Sequence, residues 1–192
     1  MRIWSIQESR AWREMQKYGI LRGKVRRLDR FNRDAYKWIS GQMVKRGFAS
    51  KNHPPIWAWI SPKPDLRESA HLERGKRGVR LELEIDPIRV LASDFDAWHC
   101  VLNRWYLALS WREDSVFERK CRQSTGKKLP SWKDLHSGLK TAIRHSWERI
   151  FDIERLTKSC LWNKKGGERF LQCVLREIRL SDVVRVTPFT AR

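Results

Sequence analysis

Val79-Arg80-Leu81-Glu82-Leu83-Glu84-Ile85 alternates apolar and charged residues without a break. A period of two puts Val79, Leu81, Leu83 and Ile85 on one face and Arg80, Glu82 and Glu84 on the other, the pattern of a half-buried strand. Outward from it, Pro87 interrupts, and Val90 and Leu91 lead to Ser93, a predicted N-cap. Phe95, Trp98, Leu102, Trp105 and Leu109 then recur at helical spacing, which predicts a helix over 94–109. Upstream, residues 61–78 are rich in Pro, Gly and charge and read as a loop. Before that loop, 56–60 reads as an apolar strand with Trp57 and Trp59 on one face, entered through the breaker His53-Pro54-Pro55.

Towards the ends of the chain the same two periods recur. Residues 2–7 alternate as a short strand, and Ser9 is placed to cap a helix running to Tyr18, with Gly19 as its stop. A helix over 34–46 follows from Tyr36, Ile39 and Met43. Ser131-Trp132-Lys133-Asp134 has the form of a capping box and predicts a helix from 131 to about 151. A turn over 164–167 and strands over 170–178 and 183–189 close the chain. Strands and helices mixed in this way predict an α+β fold: a mixed, mostly antiparallel sheet with packed helices, as one domain over residues 1–192.

Charge narrows the partner. Among 192 residues, 41 Lys and Arg stand against 22 Asp and Glu, a formal net charge of +19. Such an excess repels itself in the compact state, and a polyanion relieves that repulsion. The cations are spread through the chain rather than lined along one amphipathic helix, which favours nucleic acid over a membrane. Their densest run is Arg22, Lys24, Arg26, Arg27, Arg30 and Arg33, interrupted by Asp29 alone among the acids. No stretch is long and apolar enough to span a bilayer, and the charged opening MRIWSIQESR is not a signal peptide. Cys100, Cys121, Cys160 and Cys173 form no C-x-x-C pair, so reduced thiols, a cytoplasmic setting and no metal are expected. Nothing in the sequence sets an oligomeric state.

Two polar constellations are candidates for chemistry. On a helix, Asp96, His99 and Asn103 form a stripe, with Asp94 at its start; a histidine one turn from a carboxylate suits general acid or base work. The same acids also suit a helix N-terminus with no chemistry attached. The second set is Gln172 and Glu177 near the C-terminus, with Ser5 and Gln7 on the first strand. Of the eleven tryptophans, which could stack on bases, most fall on apolar faces and read as core (Trp12, Trp98, Trp105, Trp147), whereas Trp57 and Trp59 lie on a strand apolar on both faces and are left open. No P-loop, Rossmann glycine pattern, H-E-x-x-H or G-x-S-x-G occurs.

Several blocks together resemble a bacterial family described only as a domain of unknown function (number 3841). They are Arg2-Ile3-Trp4-Ser5-Ile6-Gln7, Ala35-Tyr36-Lys37-Trp38, Pro55-Ile56-Trp57-Ala58-Trp59, Ser93-Asp94-Phe95-Asp96 with Trp98-His99 and Val101-Leu102-Asn103, Ser146-Trp147-Glu148-Arg149-Ile150-Phe151-Asp152, Gln172 with Glu177-Ile178-Arg179-Leu180, and the ending Val184 to Arg192. More distantly, the order of elements resembles the ADP-ribosyltransferases that modify DNA. That resemblance implies NAD as cofactor, with Ser5 and Gln7 holding it and Gln172 and Glu177 as catalytic residues. Gln172 and Glu177 have opposite strand parity, so a shared cleft requires a bulge between them. The expected function is nucleic-acid binding, with ADP-ribosyl transfer from NAD as the activity the resemblance adds. Two alternatives stand beside it: a non-catalytic RNA- or DNA-binding module of the small mixed-barrel kind, and an antitoxin-like protein-interaction component.

Overall fold

The alternating stretch forms β4 (Arg77–Glu84), which pairs antiparallel on both sides. Leu83 stands opposite Ile3 and Leu81 opposite Ser5 of β1 (Arg2–Glu8), and Leu81 also stands opposite Val186 of β8 (Val183–Thr190). In this computed structural model, residues 1–24, 32–49, 54–69, 71–128, 130–163 and 169–192 are described. The chain divides into two compact units, residues 1–92 with 170–192, and residues 93–169.

The first unit is built on a sheet ordered β5-β6-β3-β1-β4-β8, where β3 is Ile56–Ser61, β5 is Leu91–Asp94 and β6 is Leu171–Leu175. The sheet is open, with β5 and β8 at its margins, and its registered pairs are antiparallel. The α+β architecture expected from the sequence is the one observed. A separate two-stranded sheet joins β2 (Ile20–Arg22) to β7 (Glu177–Arg179). One face of the large sheet supplies Ile3, Leu81, Leu83, Ala58, Cys173 and Leu175 to a core completed by Ala11 and Met15 of α1 (Ser9–Tyr18) and by Leu21 and Ile178 of the small sheet. Full burial contributes roughly 1.5–3 kcal/mol for each large aliphatic side chain, so this face dominates the unit's stability. α1 ends at Gly19, whose φ of 73° lies in the left-handed region and whose N–H closes on the Met15 carbonyl. α2 (Arg33–Lys45) meets the other face of the sheet through Tyr36, which packs edge-to-face on Trp57.

The second unit departs from the sequence reading in three places. Ser93 does not cap the helix that follows. Ser93 lies within β5, and Asp94 is the N-cap of α3 (Phe95–Leu102), its Oδ1 accepting the Ala97 N–H at 2.7 Å. The helix expected over 94–109 stops at Leu102, Arg104 takes a φ of 57°, and residues 105–109 run irregularly. The reason is a set of side chains that claim this backbone. Trp147 Nε1 donates to the Trp105 carbonyl, Arg149 to Leu107, Trp162 Nε1 to Ala108 and Ser159 Oγ to Leu109. Ser146 Oγ accepts the Leu107 N–H at 2.9 Å. Carbonyls bonded this way are not available to a helical ladder.

Next comes a helix the sequence reading passed over, α4 (Trp111–Thr125), capped by Ser110 and closed by Gly126 at φ 67°. The box at Ser131 caps nothing. Asp134 instead accepts from Ser131 N–H at 2.7 Å and Ser131 Oγ at 2.8 Å, closing a turn, and α5 (Ser137–Ser146) begins later. A 3-10 turn over Trp147–Phe151 and a short α6 (Ile153–Lys158) complete the unit. Trp98 is 4% exposed, as its place in the apolar stripe requires. No described helix is long and apolar enough to cross a membrane.

Candidate nucleic-acid interface

Chain geometry in the first unit opens a cleft where β1 ends and β3 begins. It has a volume of about 470 Å³ and is lined by Gln7, Glu8, Arg22, Lys24, Tyr36 and Trp57, with Pro54, Pro55, His71 and Leu72. One close approach shapes it. A Cβ on Gly23 would lie 2.0 Å from the Pro54 carbonyl oxygen, so only glycine lets the strand leaving β2 pass against the entry to β3. Arg22 and Lys24, on either side of that glycine, are thereby carried along the cleft wall.

Both cations are held in place. Arg22 donates through Nε and Nη2 to Glu177 Oε2, each at 3.1 Å, across the β2–β7 ladder in which the two residues face each other. Lys24 Nζ reaches Glu14 Oε2 at 2.5 Å. On the opposite wall Gln7 Nε2 donates to Ser5 Oγ at 2.8 Å, and Ser5 Oγ donates to the Trp57 carbonyl at 2.8 Å. The buried Ser5 therefore acts as a strut that orients the Gln7 amide. His71 Nε2 lies 2.7 Å from the Asp65 carbonyl oxygen.

Ser5 and Gln7, nominated to hold NAD, are hydrogen-bonded to each other, but Gln172 and Glu177, nominated as catalytic, lie on different sheets. Ser5 stands opposite Leu81 and so shares the core face of the large sheet, whereas Trp4 points to the other face and stands opposite Trp59. Trp59 in turn stands opposite Gln172. Side chains directly opposite one another share a face, and successive residues alternate, so Gln172 and Ser5 point away from each other across the sheet. Glu177 is not on that sheet at all. Arg176 intervenes between β6 and β7, and Glu177 pairs with β2, its carboxylate bound to Arg22 and Arg179. Burial raises the Glu177 carboxyl, but hydrogen bonds from Arg22 and Arg179 and the charges of Arg22 and Arg176 outweigh it and leave the group below its ordinary value. Where a bulge would have aligned Gln172 with Glu177, the chain changes sheet instead. Gln172 is 6% exposed, and its Nε2 has no hydrogen-bond partner among the described residues, as is also true of Trp4 Nε1 on the same face.

The Asp94 segment is consumed by local structure. Asp94 is buried, caps α3 and pairs with Arg169, which also donates to the Trp162 carbonyl at 2.8 Å. His99 Nδ1 lies 3.0 Å from the Phe95 carbonyl oxygen and Asn103 Nδ2 donates to the His99 carbonyl at 2.9 Å, so both bond along their own helix. Asp96 lies in the first turn of α3. Of the basic run, Arg22 and Lys24 line the cleft and Arg33 opens α2 on the surface, while Arg26, Arg27 and Arg30 fall outside the described residues. Of the cleft's aromatic members, Tyr36 sits in a helical pattern that reads as core, and Trp57 lies on a strand with apolar residues on both faces, which left its role undecided. The breaker before Trp57's strand was the available signal; its Pro54 and Pro55 line the cleft, and His53 falls outside the described residues.

One family model, described as a domain of unknown function (DUF3841), matches residues 2–184. No curated protein and no solved structure matches the chain.

Proposed function

The chain belongs to the DUF3841 family, whose description names no activity, and on physical grounds we propose that it binds nucleic acid through the cleft of its first unit. A single observation carries this reading: two cations, two aromatic rings and an oriented amide line one cavity of about 470 Å³. Arg22 and Lys24 supply phosphate contacts, which set affinity and register. Tyr36 and Trp57 supply ring surface for a base. The Gln7 amide, tied at one N–H to Ser5, keeps an acceptor oxygen and a second N–H for a base edge. The net charge of +19 supplies the long-range attraction that brings a polyanion to the cleft.

The test is binding of DNA and RNA across a salt series. Each phosphate neutralised contributes a log–log slope of about −0.9 on duplex DNA, so an Arg22→Ala, Lys24→Ala double variant is expected to shallow the slope by nearly two. An unchanged slope would remove these side chains from the interface. Labelled NAD added to the same mixtures tests transfer separately: label carried into nucleic acid would add ADP-ribosyl transfer to binding as the function.

A further inference from the structure

We infer that the second unit carries a stacking site for the bases of single-stranded nucleic acid, centred on Trp132 and its three surrounding cations. The inference rests on the chain being a nucleic-acid binder, but its residues are independent of the cleft described above.

Trp132 sits in the turn that Asp134 closes on Ser131, so its backbone is fixed while its side chain is half-exposed. The buried Trp147 ring lies nearly parallel to it, 18° between planes with centroids 6.3 Å apart, and backs the indole. Around the Trp132 ring stand Arg104, Lys140 and Arg144, at 5.8, 5.9 and 5.6 Å from its centroid. Lys140 and Arg144 are one turn apart on α5, a like-charge spacing that destabilises a helix. Neither has a carboxylate within salt-bridge distance among the described residues. The indole's π face offsets this repulsion only weakly at an exposed site.

A cluster that costs the free protein stability is explained by a ligand that neutralises it. Single-stranded nucleic acid offers both halves of the complement, a base whose face is open to stack on the indole and a phosphate for the cations. Duplex nucleic acid hides its base faces, and an acidic protein surface brings charge without a ring. The surroundings extend the same chemistry. Trp105 is 58% exposed, next in sequence to Arg104, and its carbonyl is pinned by Trp147 Nε1 at 2.7 Å. Arg104 and Trp105 also line a groove of about 450 Å³ with Lys128 and the stacked Tyr106–Phe117 pair, although Asp114 and Glu118 line it too, so it offers ring surface for a second base rather than a phosphate site.

The experiment measures binding of oligothymidylate, oligouridylate and a mixed-sequence duplex to the full chain by anisotropy, with polyglutamate as an anionic control. Trp132→Ala is expected to weaken single-strand binding about tenfold while leaving duplex binding within about twofold, and Trp132→Phe is expected to keep most of the affinity. The Lys140→Ala, Arg144→Ala double variant, which leaves the indole in place if Trp132→Ala fails to fold, is expected to shallow the single-strand salt slope by about 1.4. Unchanged single-strand affinity in the Trp132 variants, or equal losses on duplex and polyglutamate, would overturn the inference. Wild-type chain that binds no nucleic acid would overturn the proposed function and this inference together. Loss of binding in the Arg22 and Lys24 variant with full binding in the Trp132 and Lys140/Arg144 variants would overturn this inference alone.

Discussion

Cys160 is exposed, whereas Cys100 and Cys173 are buried and burial pushes both thiols up to about 12. Only the thiolate is nucleophilic, so an alkylating reagent at neutral pH is expected to modify Cys160 first and to reach Cys100 and Cys173 only on unfolding. Peptide mapping after brief labelling checks this, and early label on Cys173 would show that the sheet opens readily. Glu177 makes a second residue-scale case. Its carboxylate holds Arg22 across the β2–β7 ladder, so Glu177→Gln removes a negative charge from beside the cleft. The Glu177 side chain is only 12% exposed, so losing its charge lowers stability as well, while the released Arg22 cation is expected to strengthen nucleic-acid binding about two- to fivefold. Weaker binding in that variant would mean that Glu177 matters by aiming Arg22. The sequence carried half of this lesson: strand parity already separated Gln172 from Glu177, but that Arg176 marks a change of sheet depends on β2, far away in the chain, and no local pattern encodes it.

At the level of elements, the strands were legible because one face of each is buried and a period of two survives in any context. β1, β3, β4 and β8 all fall within a few residues of their predicted ends. The helices of the second unit were less legible. The stripe from Phe95 to Leu109 is sound as a pattern, yet Trp147, Arg149, Ser159 and Trp162, all more than forty residues away, take the carbonyls of residues 105–109. α4 was legible and was overlooked: Ser110 and Glu113 have capping-box spacing, and Gly126 ends the helix. The β2 exit is an element-scale device with a direct test. Gly23→Ala drives a methyl into the Pro54 carbonyl, and the resulting overpacking is expected to cost about 1–3 kcal/mol. A fall in the urea midpoint with weaker binding is expected; an unchanged midpoint would show that the strand shifts freely.

Taken whole, the chain's stability is expected to depend on acid. Burial raises Asp182, Glu113 and Glu177, but their arginine partners and other donors outweigh it and hold all three below the ordinary carboxylate value. Groups lowered on folding stabilise fully above their unfolded values and lose that contribution as pH falls through the folded ones. The urea midpoint should therefore be level above about pH 5 and fall steadily below about pH 4. Asp182→Asn, which breaks the paired bonds to Arg89 at 2.7 and 2.9 Å, should lower the midpoint at neutral pH and flatten the acid limb. A midpoint independent of acid would mean that these carboxylates are equally well paired in the unfolded chain. The first passage between the two compact units left no mark in composition, because at residue 92 it falls inside β5, whereas the second, at 169–170, follows the Gly166-Gly167 stretch that reads as a turn. The margins of the large sheet bear on how copies of the chain behave when crowded together. One margin, β5, is four residues long, and the other, β8, carries an exposed Arg185 and a Pro188 that has no N–H to offer. Neither presents the long unbroken row of backbone donors that a foreign strand needs as a template. Growth by strand addition is discouraged at both sides, so copies of the chain brought close together have no shared backbone ladder to extend.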